Sequence, residues 1–371
     1  MIFIRNYKKF IVITLMVTLL LAGCQKGGES EYKAYDQVYL DSFDTVIKVI
    51  VHTKSTDEAS KYFQMIHSRL LELDDYYNIY NGPKNGNNLF TLNEKAGKEP
   101  VKLPKETIDL LIMAQDSYNK YSNKTDITIG PVTAVWHKHR EGHVIEGGEH
   151  SEEAPHDGTL PTKLELEAAA KHMGMSHLII DEKAGTAFLT DENARVDVGA
   201  VAKGYAVELV AKEAEAAGLE AGIISAGGNV RTIGKPLLAN RNLWAVGIEN
   251  PDIVAREKGK PLVDVLFIGE GAVVTSGDYQ RFYMVDGKSY HHLIDPVTLF
   301  PGEHSRSVTI FCEDSGLGDF LSTAVFLMPH EEGEKLIESI PGAEALWVFK
   351  DGSTKFSSGM AKYLESQGAK P

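Results

Sequence analysis

Residues 196–207 read VDVGAVAKGYAV: an apolar start, a turn glycine at Gly199, then a helix-forming run that holds Lys203. A turn that leads into a helix leaves its first N–H groups without intrahelical partners, and a lysine in that turn adds a full positive charge. Such a stretch can hold a pyrophosphate. It can equally be a tight turn with a solvent-facing lysine. Working outward, short apolar strands are expected around 178–180, 223–224, 244–248, 263–268, 307–311 and 345–349, with helices near 199–217 and 318–328. Hairpin-like spacing outweighs strict strand–helix–strand alternation, so the pattern predicts an α+β fold with mostly antiparallel sheets flanked by helices. The sequence shows no internal repeat.

Upstream, Tyr39 to Thr53 is rich in Val and Ile and alternates in its second half, which predicts a strand. Ser55 stands three residues before Glu58, a capping-box arrangement, and Ala59, Phe63, Ile66, Leu70, Leu73 and Tyr77 follow at helical spacing. A second helix is expected to open at Pro104, with the proline at its first position, and to run towards Tyr121. Residues 137–160 turn rich in Gly, Glu and His, with His137, His139, His143, His150 and His156. Their spacing matches no closed zinc site and no thiol joins them, so a surface insertion is expected.

The first residues carry Arg5, Lys8 and Lys9, followed by an apolar run from Ile11 to Leu21 that ends in Leu21-Ala22-Gly23-Cys24. Charge followed by a short apolar run has the layout of a secretory signal, too short to span a bilayer comfortably. Its end resembles the lipobox of bacterial lipoproteins, so residues 1–24 read as a signal with lipidation at Cys24. The expected location is the cell membrane, lipid-anchored and facing outside the cytoplasm. With Cys24 acylated, only Cys312 remains and no intrachain disulfide can form. Residues 25–37 are polar and Gly-containing and read as a flexible tether, leaving 38–365 as the domain. The net charge of −14, with cations scattered, argues against a nucleic-acid partner. An acidic protein that binds a phosphate-rich ligand needs a cation to help.

Four further stretches carry chemistry. SAGGNV (225–230) puts Gly227 and Gly228 after an apolar strand, where a backbone can approach a flat ligand or simply turn. TSGDYQR (275–281) gathers Ser276, Asp278, Tyr279 and Arg281, a set suited to phosphate, ribose or a ring, or to a polar hairpin turn. YHHLIDP (290–296) combines His292 with Asp295, a candidate proton acceptor near a carboxylate. GDFLSTAVFL (318–327) places Asp319 and Thr323 four apart on one helical face. A carboxylate and a hydroxyl are too few to cage an ion, but Mg2+ often takes only one or two protein oxygens and completes its shell with water and phosphate. The alternative is an N-cap aspartate and a threonine bonding back to the preceding turn.

Together with TDITIGPVTAVW (125–136), these stretches, in this order, resemble the ApbE family, FAD-dependent FMN transferases of bacterial cell envelopes. The resemblance implies a duplicated T-fold-like α+β domain, FAD as substrate and Mg2+ as cofactor. It implies that the metal is held by the Ala200 carbonyl and the side chains of Asp319 and Thr323. Lys203, Gly227 and Gly228 would line the flavin nucleotide, with Ser276, Asp278 and Tyr279 close by. His292 would sit near the reacting phosphate with Asp295 supporting it. The implied activity attaches FMN through a phosphoester to Thr or Ser of extracytoplasmic electron-transfer proteins and releases AMP. Two other readings remain at this stage: an FAD pyrophosphatase giving FMN and AMP, and a non-catalytic flavin-binding lipoprotein. The segment DDYYNIYNGPKNGNNLFTLN (74–93) lacks the serine-and-acid pattern expected of the family before its final asparagine.

Overall fold

A computed structural model of the chain describes residues 31–140, 145–146 and 158–371. Cys24, the signal segment and His143, His150 and His156 lie outside the described residues. Eight strands form the main sheet: β1 (Lys33–Tyr39), β2 (Ile47–Thr53), β3 (Gly222–Ala226), β4 (Asn229–Ile233), β5 (Gly271–Gly277), β6 (Ser307–Cys312), β7 (Glu344–Val348) and β8 (Thr354–Phe356). Their spatial order is their chain order, and every neighbouring pair is antiparallel. Four helices accompany them: α1 (Thr56–Tyr77), α2 (Ala202–Ala216), α3 (Ser315–Phe326) and α4 (His330–Glu338).

Along the chain these elements run β1-β2-α1-α2-β3-β4 and then β5-β6-α3-α4-β7-β8. One ββααββ unit thus occurs twice, joined edge to edge by the β4–β5 ladder, in which Val230 faces Val273. The duplication is topological, which is why no repeat is legible in the residues.

The helices cover one sheet face, where Ile47, Val49 and Val51 of β2 join Ile66, Leu70 and Leu73 of α1 in the main core. The hairpin Trp244–Glu249/Leu262–Ile268 and the turn Met360–Tyr363 cover part of the other face. Covered on both sides, β6 is buried at every residue. A third cluster gathers around Trp136 on the helix Gly130–Arg140 and Tyr283 on the strand Arg281–Val285.

Local signals explain the helices that the sequence predicts. Ser55 caps α1, its hydroxyl accepting from the Glu58 N–H at 3.2 Å, and Ala59, Ile66, Leu70, Leu73 and Tyr77 are buried as their spacing requires. The second predicted helix spans Lys105–Lys120, with Pro104 one position earlier than expected, at the N-cap. Two expectations are corrected. The apolar segment 39–53 is not one strand: β1 ends at Tyr39 and β2 begins at Ile47. Strand β1 begins at Lys33, inside the segment read as tether. Most side chains of β1 are exposed, Tyr35 and Tyr39 alone resting half-buried against the core, so the strand is placed mainly by its backbone ladder to β2 and lacks an apolar run.

Candidate active site

A cleft of about 1710 Å³ opens beside β5, the start of α2 and one face of α3. Ala200, Lys203, Gly227, Gly228, Ser276 and Tyr279 line it, and so do His292, Asp319 and Thr323. Nine of the eleven site residues named from the sequence and lying within the described residues therefore converge, from five separate stretches. Asp278 and Asp295 do not line the cleft.

The floor is built where α2 meets α3. Gly204 makes that approach possible: a Cβ there would lie 2.3 Å from the Ser315 carbonyl oxygen and 2.5 Å from Asp319 Cβ. The Gly204 N–H donates to Asp319 Oδ2 at 2.7 Å. Gly204 is the third residue of α2, so its N–H is one of the four at a helix start that have no intrahelical partner. Ala200 lies outside α2, and among the described residues its carbonyl accepts no backbone hydrogen bond. Asp319 is not an N-cap of its own helix: Asp314 has that place, accepting from the Leu317 N–H at 3.0 Å. Asp319 instead caps α2, whose own N-cap, Val201, has no side chain able to do so.

Hydroxyl geometry fixes what Thr323 can offer. Ser322 Oγ donates to the Asp319 carbonyl at 3.0 Å, so in its 2.8 Å contact with Ser276 Oγ the proton comes from Ser276. A hydroxyl has one proton. In the 3.4 Å contact between Ser276 and Thr323, Thr323 is then the donor, and its lone pairs stay free. Asp319 Oδ1, the Thr323 hydroxyl and the Ala200 carbonyl are hard oxygen donors of the type a small divalent cation takes. Burial raises the Asp319 carboxyl above its usual range, against the opposing pull of Lys203 and the Gly204 N–H, so the carboxylate lacks full compensation within the protein. A cation fits that deficit. Among the described residues no three His, Cys, Asp or Glu side chains cluster as a metal cage, which leaves no zinc-type site.

His292 is half-buried, with Nδ1 3.1 Å from the Arg281 carbonyl oxygen. A carbonyl only accepts, so Nδ1 carries the proton and Nε2 keeps its lone pair. Burial, followed by the neighbouring His291, Lys203 and Arg281, pushes its pKa down to about 3, so the ring is neutral. Lys203 acts on both His292 and Asp319, which ties the two ends of the floor to one cation.

Two sequence expectations are corrected here. The Asp295 carboxylate pairs with Lys124 at 2.8 Å and accepts from the Val297 N–H at 2.8 Å, so it shapes the turn after His292 and does not orient the ring. Asp278 turns to Arg306 at 3.3 Å because its own N–H is held by the Arg306 carbonyl at 2.9 Å. The glycines carry the turn reading in full: Gly227 and Gly228 have φ of +50° and +90° and close the two-residue β3–β4 hairpin, which requires φ > 0 at both positions. They still border the cleft, and Gly227 lies against Thr45. The Lys203 ammonium donates to the Gly199 carbonyl at 3.5 Å. Tyr279 is buried, with the Arg256 guanidinium 5.6 Å from its ring centre.

Sequence reasoning missed an aromatic wall. Trp136, Tyr283 and Tyr290 line the cleft, with the tryptophan ring 6.4 and 6.2 Å from the two tyrosines and its N–H donated to the Leu299 carbonyl. It also missed Asp126, a buried cleft residue whose carboxyl burial raises and which accepts from the Thr128 N–H and hydroxyl. Asp126 and Trp136 lie in the 125–136 stretch and Tyr290 opens the 290–296 stretch, so all but Tyr283 fell within stretches the sequence singled out, without being named themselves.

Comparison with known proteins places the fold. The model of the ApbE family matches residues 43–347. The chain is 28% identical to the FAD:protein FMN transferase of Vibrio cholerae (95% of this chain, 97% of the relative) and 27% identical to that of Treponema pallidum (94% and 93%). A crystal structure of the ApbE protein from Thermotoga maritima superposes with a TM-score of 0.75 at 26% identity, covering 89% of this chain and 99% of that one. The flavin transferase ApbE of Vibrio cholerae has the same fold, with a TM-score of 0.72 at 24% identity over 90% and 100%. The fold is thus that of an α+β enzyme of the transferase class. The chain belongs to the ApbE family.

Proposed function

We propose that the protein is a magnesium-dependent FAD:protein FMN transferase, anchored by lipid at Cys24 and working outside the cytoplasmic membrane. The observation that carries this reading is the convergence, in one cleft, of uncommitted oxygens on Asp319, Thr323 and Ala200 with the free Nε2 of a neutral histidine. Asp319, Thr323 and the Ala200 carbonyl would hold Mg2+, which when bound neutralises charge on the FAD pyrophosphate. Lys203 adds a positive charge beside both the metal ligands and His292.

The hydroxyl oxygen of an acceptor threonine or serine bonds to the FMN phosphorus as the bond from that phosphorus to the bridging oxygen breaks. The electron pair leaves with AMP, and the hydroxyl proton passes to His292 Nε2. The carbonyl of Arg281 keeps the ring oriented throughout. The acceptor is an extracytoplasmic electron-transfer protein. Among the described residues no helix is long and apolar enough to cross a membrane; the anchor rests on the Leu21-Ala22-Gly23-Cys24 sequence.

The test is incubation of the full chain with FAD and Mg2+, with and without a threonine-bearing acceptor. AMP released in step with protein-bound flavin supports transfer. Free FMN formed at the same rate without acceptor would make the enzyme a pyrophosphatase, and intact FAD throughout would make it a carrier. His292→Gln should lower transfer by about 10²–10⁴-fold while FAD still binds. Palmitate labelling that survives Cys24→Ser would remove the anchor from the proposal.

A further inference from the structure

Residues 40–46 join β1 to β2 as a strap along one wall of the cleft, which Leu40, Phe43, Asp44, Thr45 and Val46 line. Its backbone is strained. Phe43 and Asp44 have φ of +55° and +46°, in the left-handed region that favours glycine and that a bulky side chain seldom enters. Ser42 is buried, and its hydroxyl finds no partner among the described residues. A segment with such costs keeps its shape only where its surroundings hold it, and strain of this kind gathers at ligand clamps and switches. From α1, Asp74 Oδ1 accepts the Phe43 N–H at 3.0 Å and His67 meets Asp41 at 2.9 Å. From across the cleft, Arg281 Nη2 donates to the Asp44 carbonyl at 2.7 Å, joining positions 237 residues apart.

The same arginine holds the candidate base. Arg281 opens the strand Arg281–Val285, which pairs antiparallel with Lys288–His291, and its carbonyl accepts the His292 N–H at 3.2 Å where that hairpin ends. That carbonyl also lies 3.1 Å from His292 Nδ1. One residue therefore fixes the imidazole with its main chain and grips the strap with its side chain. The sequence offered Arg281 to phosphate or ribose, but Nη2 is spent on a main-chain oxygen of the first ββααββ unit. Which ring nitrogen of a histidine carries the proton follows from the hydrogen bond the other one makes, so the position of the Arg281 carbonyl decides whether Nε2 is bare.

We propose that Arg281 is a positioning residue that couples the 40–46 strap to His292. While the strap is gripped at Asp44, the Arg281 carbonyl stays where it keeps the proton on Nδ1; release of the strap at either anchor loosens the ring. A ligand seated against the strap and the base that serves it are thereby set together. The kinetic consequence of this coupling rests on the flavin-transfer reading, whereas the geometry of the ring does not.

The experiment uses the full chain with 15N-labelled histidine, His292→Gln assigning the signal of interest. In the wild type His292 should show a single Nδ1–H tautomer. Arg281→Met, which removes the donor, and Asp74→Ala, which frees the strap at its other anchor, should both move the two ring nitrogens towards mixed tautomers. In the same variants the kcat for AMP release from FAD with Mg2+ should fall on the order of ten- to a hundredfold, as for a misplaced reacting group. The KM for FAD should change by less than about threefold, since substrate binding is not what is lost. Arg281→Lys, which keeps a donor, should retain most of the wild-type signal and rate. The double variant should be no slower than the slower single one, because both changes cut one connection. A wild-type tautomer in both Arg281→Met and Asp74→Ala overturns the coupling, as do losses that multiply in the double variant. A raised KM for FAD with intact kcat in Arg281→Met assigns the guanidinium to the nucleotide and overturns it too. Tautomers that move together in a protein that releases no AMP would uphold the coupling and refute the flavin-transfer reading instead.

Discussion

Replacing Asp319 by Asn separates the two jobs that the structure gives this side chain. An asparagine oxygen can still accept from the Gly204 N–H, now 2.7 Å from Asp319 Oδ2, so the cap on α2 survives. The bond changes from charge-assisted, about 1.5–3 kcal/mol, to neutral, about 0.5–1.5 kcal/mol, a loss of about 1 kcal/mol. Removal of a buried charge acts the other way, because burial already raises this carboxyl. The metal-free variant should therefore stay within about 1 kcal/mol of wild type, a shift of about 2–4 °C at most. Catalysis should collapse. If the cation supplies about 4 kcal/mol of transition-state stabilisation, its loss lowers AMP release about a thousandfold. Thermal unfolding adds an independent readout. At a magnesium concentration about 100 times Kd the wild type gains about 2.7 kcal/mol, or about 5–10 °C, and Asp319→Asn should gain nothing. A variant that keeps wild-type AMP release, or whose melting temperature responds to magnesium as the wild type does, refutes the assignment.

Three other outcomes follow from the same geometry. Burial lowers His52 and His291 to about 4 and His292 to about 3, so between pH 6.5 and about 4 the unfolded chain takes up protons that the folded protein does not. Each contributes up to roughly 1.4 kcal/mol of lost stability per pH unit of acidification in that window. The stability of wild type relative to His52→Gln should accordingly fall between pH 6.5 and 4 in urea titrations, and a constant difference would exclude His52 from the effect. Asp295→Asn strands Lys124, whose side chain is 19% exposed, and should cost about 3 kcal/mol, the low end for a broken buried pair. The kcat for AMP release in its folded fraction should be unchanged; a fall in kcat without a stability loss would return Asp295 to a role beside His292. Gly204→Ala should destabilise by about 1–3 kcal/mol through overpacking against Ser315 and should also lose AMP release, measured by denaturant unfolding and nucleotide assay together.

What the residues revealed depended on whether the information was local. The helix α1 was legible to within a residue at its start because its cap, Ser55, and its apolar face are neighbours in sequence. Six of the predicted strands lie where the Val and Ile runs placed them. β1 was not legible, since its outward side chains carry no pattern and its pairing with β2 is a backbone property. The aromatic wall was hidden for another reason: Trp136 meets Tyr283 and Tyr290 only after the chain has folded back. His292 and Asp295 illustrate the converse error. Proximity in sequence suggested a pair, but the turn sends the carboxylate to Lys124 and leaves a carbonyl to orient the ring.

The proposed metal-ligand set shows why recognisable stretches and chemistry do not map one to one. Asp319 and Thr323 are four apart within α3 and alone read as ordinary helix. The close approach at Gly204 lets its N–H, which has no partner within α2, take Asp319 Oδ2 across 115 residues of chain. That bond fixes the carboxylate in the cleft that Ala200, whose carbonyl accepts no backbone hydrogen bond among the described residues, also lines. The hydroxyl relay from Ser276 through Ser322 leaves Thr323 with open lone pairs on the same face. Gly204, which the sequence reading did not single out, thus couples helix packing to the placement of Asp319, a proposed cation ligand. Any change that keeps both helices but widens their crossing should disarm the site while leaving every proposed ligand in place.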